Sequence, residues 1–204
     1  FSYDVPRGPC ALTIGNFDGV HRGHMVLLAQ LREAADRLHL PAAVLTFSPH
    51  PRQYFAFQSD KSVTAPATIT PLREKIQALS QCGVDQVTIA HFDHLTASLT
   101  AEQFIEQILV RALGVKWLII GEKFRFGKGR LGTTDMLKDA GKKYGFHVEV
   151  LPAVNDENGR ISSSCIRKAL EESDFPKVAE LLEKPCMMSG HVVHGDKIGR
   201  DLGF

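Results

Sequence analysis

Apolar residues are arranged along this chain in two alternating ways. Unbroken runs of strand length occur at Cys10–Gly15, Ala42–Phe47, Gln86–Ala90, Trp117–Gly121 and Val148–Leu151. Between them, apolar positions return every three or four residues over His24–Leu38, Leu72–Gln81, Ala101–Leu113 and Thr134–Tyr144, the period of a helix with one buried face. Gly83 and Gly114 follow the second and third of these segments and suit C-terminal caps. Strand–helix alternation of this kind predicts an α/β fold: a parallel sheet with helices on both faces. Such sheets bind ligands at the carboxyl ends of their strands. A helical pair is expected over Ser164–Glu172 and Phe175–Leu182. After Pro185, "MSGHVVHGDKIGRDLGF" reads as a strand, a Gly-Asp turn and a glycine-rich run. A boundary is therefore expected at Lys184–Pro185, dividing a domain over 1–184 from the beginning of another over 185–204. There are no internal repeats and no low-complexity segments.

Composition narrows the function classes. A chain of 204 residues, 44% hydrophobic and 23% charged, can bury one sizeable core and does not have the make-up of a disordered protein. A net charge of +1 argues against broad binding to nucleic acid or an anionic membrane, while a local basic pocket stays open. Cys10, Cys82, Cys165 and Cys186 are far apart and form no Cys-x-x-Cys pair, so neither a disulfide framework nor a structural zinc site is indicated. A reducing cytoplasm is expected. The longest apolar runs are of strand length, which gives no membrane span and no signal peptide. The chain opens on Phe1 rather than methionine, so an earlier natural start is expected.

Candidate chemistry begins in "LTIGNFDGVHRGHMVLL", Leu12 to Leu28. Gly15 ends a buried strand, and Gly19 and Gly23 let the backbone turn tightly and approach a ligand. The helix beginning near His24 points its free amide groups back at this turn, a ready anion site. His21 and His24 can donate ring hydrogens to phosphate oxygens in the same place. Two histidines bracketing Gly23 at a strand-to-helix turn favour phosphate binding over two unrelated surface residues. Asp18 makes a metal site a further option. That option ranks below phosphate, because there is no His-Glu-x-x-His pattern and no third obvious ligand.

Three later blocks have readings of their own. In "ISSSCIRKAL", Ser163 or Ser164 is a natural helix N-cap. Arg167 then falls where a capping box would put Glu or Gln. A cation in the first helical turn opposes the macrodipole, so an anion such as a nucleotide phosphate should compensate it; an arginine reaching to solvent is the plainer alternative. "FRFGKGR" interleaves Phe124 and Phe126 with Arg125, Lys128 and Arg130. This suits either nucleic acid or a flat, aromatic, phosphorylated ligand, and the near-neutral total charge favours the second. Alternation along a strand puts one of the two phenylalanines in the core. In "TFSPHPRQYF", prolines on either side of His50 predict a rigid turn.

Taken together, His21-Arg22-Gly23-His24 matches the His-x-Gly-His signature of the nucleotidylyltransferase superfamily. "TIGNFDGVHRGH", "TFSPHPR", "GEKFRFGKGRLG" and "GRISSSCIRKAL", in this order, resemble the prokaryotic bifunctional riboflavin kinase/FMN adenylyltransferases, or FAD synthetases. The resemblance implies a Rossmann-like nucleotidylyltransferase fold. It implies transfer of AMP from ATP to FMN, giving FAD and pyrophosphate without a covalent enzyme intermediate. It assigns His21, His24 and Arg167 to catalysis. It assigns Gly15, Asn16, Phe17, Asp18, Gly23, Ser163 and Ser164, with those three, to ATP. His50, Phe55, Lys123, Phe124, Arg125, Phe126 and Arg130 fall to the flavin, and Mg²⁺ is expected to accompany ATP, held by phosphates and water. The chain departs from the family at Lys123, where Asp or Asn is usual. It also stops at Phe204, inside the first motif of the riboflavin kinase domain, so riboflavin kinase activity is expected to be absent. Two alternatives stay open: a flavin- or nucleotide-binding regulatory module that has lost catalysis, and a nucleotidylyltransferase for a different phosphate.

Overall fold

The five apolar runs are the strands of one parallel sheet: β1 (Cys10–Ile14), β2 (Ala42–Ser48), β3 (Gln86–His91), β4 (Val115–Gly121) and β5 (His147–Leu151). Their order is β3-β2-β1-β4-β5, with parallel pairing throughout. In this computed structural model, residues 8–58, 65–156, 159–190, 192–195, 198–201 and 203 are described. The strands carry apolar residues at successive positions because both faces of the sheet are covered. Leu12 and Ile14 of β1, with Leu118 and Ile120 of β4, pack against Phe104, Ile105, Leu109 and Leu137. Ala11, Val44 and Ile119 face the other way, onto Leu28, Leu31 and Leu79. Chain order reverses between β1 and β4, and a crevice opens beyond their carboxyl ends.

Helices α1 (Arg22–Leu38) and α3 (Leu72–Gln81) lie on one face; α6 (Thr134–Tyr144) belongs to the other. Thr133 caps α6 by accepting from Met136 N–H, and Gly145 ends it at φ 75°. Gly83 and Gly114 adopt φ 79° and 58°, as expected for the residue just past a helix C-cap. The segment read as a helix over Ala101–Leu113 is α5 (Ala101–Gln103) running into a π-helix over Phe104–Ala112. Apolar spacing does not separate these two forms, and Phe104, Ile105 and Leu109 are buried in it.

Several elements were not expected. The rigid turn expected around His50 leads straight into helix α2 (Pro51–Gln58), and His94–Ser98 is the short helix α4. Asn155–Asp156 and Gly159–Arg160 pair as the small antiparallel strands β6 and β7. Helices α7 (Ser163–Glu171) and α8 (Phe175–Leu182) bury Ile166, Val178, Leu181 and Leu182 in a third cluster with Ile161. The strand expected after Pro185 is not formed among the described residues. Met187, Met188, Val192 and Val193 are exposed, so no partner surface holds them extended, and a short helix α9 (Ile198–Asp201) follows. Asp196 and Lys197, part of the expected turn, lie outside the described residues.

Candidate active site

The loop between β1 and α1 carries the most strain in the fold. Phe17 and Val20 hold φ of 47° and 43°, a region a β-branched residue avoids. Both are buried, so core packing holds the turn. Gly19, at φ 94°, sits against Leu182, Ile166 and Ile69, and a Cβ there would lie 3.3 Å from Leu182. Its role is to let the loop pack on α7 and α8 rather than to admit a ligand. A Cβ on Gly15 would come 3.0 Å from the Phe17 ring, and one on Gly23 would come 3.2 Å from the ring of His21. Gly23 thus leaves room for an imidazole.

That imidazole starts the helix. His21 is the N-cap of α1; its Nδ1 accepts from His24 N–H at 3.4 Å, and His24 Nδ1 accepts from His21 N–H at 3.3 Å. The pair forms a reciprocal capping box made of two histidines. The rings stack with centroids 3.7 Å apart. Because both Nδ1 atoms accept, the ring protons are assigned to Nε2. Burial lowers the His21 pKa to about 4. Burial, with the charges of His21 and Lys75, holds His24 well below its ordinary value. Both rings are therefore neutral at pH 7, each with one N–H left to donate.

Opposite them stands the N-terminus of α7. Its cap is Ser162, whose Oγ accepts from Cys165 N–H at 3.3 Å, and not Ser163 or Ser164. Ser163 Oγ instead donates to Asp18 O at 2.8 Å. With the helix starting at Ser163, Arg167 falls beyond the first turn. Its counter-charge is also within the chain: Arg167 pairs with Asp18 and donates through Nε to Ala67 O at 2.7 Å. Asp18 accepts as well from Ile69 N–H and Thr70 N–H, both at 3.0 Å. This carboxylate, 4% exposed, ties the β1–α1 loop to α7 and to the segment before α3, and so aims Arg167.

His50 caps α2. Its Nδ1 accepts from Arg52 N–H at 3.0 Å, and Gln53 Oε1 accepts from His50 N–H at 3.2 Å. Proline at the first helical position with glutamine two residues later was the sequence signal for this helix. Burial lowers the His50 pKa to about 4.

These groups surround a cleft of about 650 Å³. Of the expected residues, Asn16, Phe17, His21, Gly23, His24, His50, Arg130, Ser163, Ser164 and Arg167 line it. Asn16 Oδ1 is buried there without a hydrogen-bond partner among the described residues. Gly15 and Asp18 act from behind the lining. Phe55, 53% exposed, joins Tyr54 and Phe92 in a separate aromatic cluster. Phe126 is a core residue against Phe104, and Phe124 stacks on Phe126. Lys123 and Arg125 are exposed and also outside the lining. Sequence reasoning missed Arg160, Arg52 and the Leu151–Val154 wall. It also missed Lys75, whose signal was a charge on the buried stripe it shares with Ala78 and Leu79. Two helix N-termini, neither with an acidic residue in its first turn, and several cations make the cleft an anion site. Among the described residues, no three or more His, Cys, Asp or Glu come together to hold a metal ion.

A family model described as FAD synthetase matches residues 5–165. The bifunctional riboflavin kinase/FMN adenylyltransferase of Escherichia coli (strain K12) is 46% identical over 200 residues, covering 98% of this chain and 62% of that protein. The Haemophilus influenzae protein of the same name is 48% identical over 195 residues, covering 96% of this chain and 62% of that one. The chain thus spans less than two thirds of the length of these curated relatives. A crystal structure of a Streptococcus pneumoniae protein described as a macrolide-efflux protein superposes with a TM-score of 0.82 at 30% identity, over 98% of this chain and 64% of that one. No helix among the described residues here is long and apolar enough to cross a membrane. With the family model matched from ahead of β1 to the first turn of α7, and so over the whole parallel sheet, this chain belongs to the FAD synthetase family.

Proposed function

We propose that the chain is an FMN adenylyltransferase, joining ATP and FMN to give FAD and pyrophosphate. The observation that carries this reading is the convergence of the α1 and α7 N-termini on one cleft, with neutral His21 and His24 on one side and Arg167 on the other. A terminal oxygen of the FMN phosphate attacks the α-phosphorus of ATP. The bond from that phosphorus to the bridging oxygen of pyrophosphate breaks, and pyrophosphate leaves with the electron pair. No proton has to be removed from a phosphate that is already ionised, so the protein's part is to position and to stabilise charge. His24 Nε2–H donates to the α-phosphate oxygens as their charge grows, and His21 donates beside it. The N–H groups of Ser163 and Ser164 at the start of α7, with Arg167, hold the β- and γ-phosphates, and Asn16 and Phe17 shape the loop. His50 and Arg130 border the flavin.

Mg²⁺ on the triphosphate would neutralise part of its charge, held by phosphate oxygens and water. Asp18, committed to Arg167 and two backbone amides, is not free to ligate it. Residues 185–204 are assigned to the start of a second domain, and riboflavin phosphorylation to a protein that contains all of that domain. Four free thiols suit a cytoplasmic enzyme. Incubation with FMN, ATP and Mg²⁺ should release FAD and pyrophosphate in equal amounts. A panel with other phosphate acceptors decides specificity. Failure to form FAD, or preference for nicotinamide mononucleotide or a pantetheine phosphate, overturns the proposal.

A further inference from the structure

Among the described residues, the buried cation Lys75 has no counter-ion of its own. Helix α3 turns Lys75, Ala78 and Leu79 to its buried face. Ala78 and Leu79 enter the core, whereas Lys75, only 6% exposed, lies at the wall of a second cavity of about 330 Å³. Among the described residues it makes no ion pair and no hydrogen bond. Burial lowers its pKa, and the nearby Asp18 only partly opposes this. Asp18 is already shared by Arg167, Ile69 N–H and Thr70 N–H. Two cations therefore face one carboxylate that is fully engaged. An ammonium taken from water without a partner is strongly disfavoured, so this arrangement is complete only when an anion arrives.

The second cavity meets the main cleft at His50 and Arg167, the residues that line both. Phe47, Pro49, Pro66, Pro71 and Leu72 give it an apolar side suited to a flat ring, and Ser48, Gln53, Thr68, Thr70 and the Asp18 carboxylate, already neutralised by Arg167, complete the wall. In-line transfer requires the acceptor to approach the α-phosphorus from the side away from the leaving pyrophosphate. With the triphosphate held between α1 and α7, an acceptor lying in the second cavity would enter the cleft past His50 and Arg167. That path must bring one polyanion up to another, which needs a cation on the acceptor's own side. We propose that Lys75 binds the phosphate of the flavin acceptor, so that FMN is aimed at the α-phosphorus from the side of this cavity. The inference rests on the adenylyl-transfer reading above.

The test compares wild type with Lys75→Met, which keeps the length and removes the charge, and with Lys75→Arg. Affinities for FMN, for riboflavin (the same ring without phosphate) and for ATP are measured separately, alongside thermal unfolding. Lys75→Met should weaken FMN at least tenfold, leave riboflavin and ATP within about twofold, and melt no lower than wild type, since a neutral chain suits the buried site. Lys75→Arg should recover part of the FMN affinity. Equal losses for FMN and riboflavin, a loss for ATP alone, or no change would overturn the assignment. Wild type making FAD while Lys75→Met shows no selective FMN loss refutes this inference alone. Wild type making none refutes the reading beneath it.

Discussion

Replacing His24 separates two jobs that one ring performs. His24→Ala removes the acceptor for His21 N–H at 3.3 Å and a stacked partner at 3.7 Å. A neutral hydrogen bond of that length in a helix cap is worth about 1 kcal/mol, so the fold should lose roughly that amount. It also removes the Nε2–H to which contact with the α-phosphate is assigned. A donor that engages charge developing in the transition state typically contributes about 10²–10³ in turnover, or roughly 3–4 kcal/mol. The same donor contributes little to ground-state ATP binding, so kcat should fall by about that factor with the KM for ATP changed less than about tenfold. His24→Gln distinguishes the causes. Glutamine at this position can close a capping box, so stability should return towards wild type while turnover stays low, because its amide sits differently. The assay is FAD formation at saturating FMN and ATP, with urea denaturation in parallel. Turnover that recovers in step with stability in His24→Gln would refute the donor role and leave a structural one.

Further outcomes follow from other parts of the site. Asp18→Asn breaks the pair with Arg167, whose side chain is 15% exposed, and should cost roughly 3–5 kcal/mol in urea unfolding, as removal of one partner of a buried pair does. A KM for ATP raised as well, as Arg167 loses its aim, completes the expectation; unchanged stability counts against the tie. The His21 pKa is lowered from 6.5 to about 4, so between these values the unfolded chain binds more protons than the folded one. Stability contributed by this group is full above about pH 6.5 and is lost as pH falls towards 4, by on the order of 3 kcal/mol. The loss should be absent in His21→Asn, read from urea midpoints at several pH values. Arg130→Ala should weaken flavin or nucleotide binding and show a reduced salt dependence, while Lys123→Asn, outside both cavities, should change neither. The opposite ranking would place the Lys123 side of the loop in the site.

Apolar runs and helical periods along the chain already specify the parallel sheet and its longer helices, and the glycines and histidines beside Gly23 single out a strand-to-helix turn as the candidate anion site. These follow from spacings within a dozen residues: unbroken apolar runs for doubly covered strands, the three-and-four period of α3 and α6, and glycines at helix C-termini. His21, Gly23 and His24 belong to this class, because a strand handing over to a helix exposes its amides wherever it lies in the chain. Tertiary structure decided what each polar group pairs with. Asp18 meets Arg167 across 149 residues, and no local pattern could show that Arg167 already had a counter-charge, or that Ser162 caps α7 because Ser163 is drawn to Asp18 O. Phe126 and Phe55 have the same residue type and opposite fates, one in the core and one at the surface, because burial depends on which layer arrives above them. Lys75 shows the difference most clearly: its spacing puts it on a buried face, and only the packing of α3 beside Asp18, His50 and Arg167 makes that face a cavity wall. Local periodicity is fixed by the backbone's own geometry, whereas pairing and burial depend on segments brought together by folding.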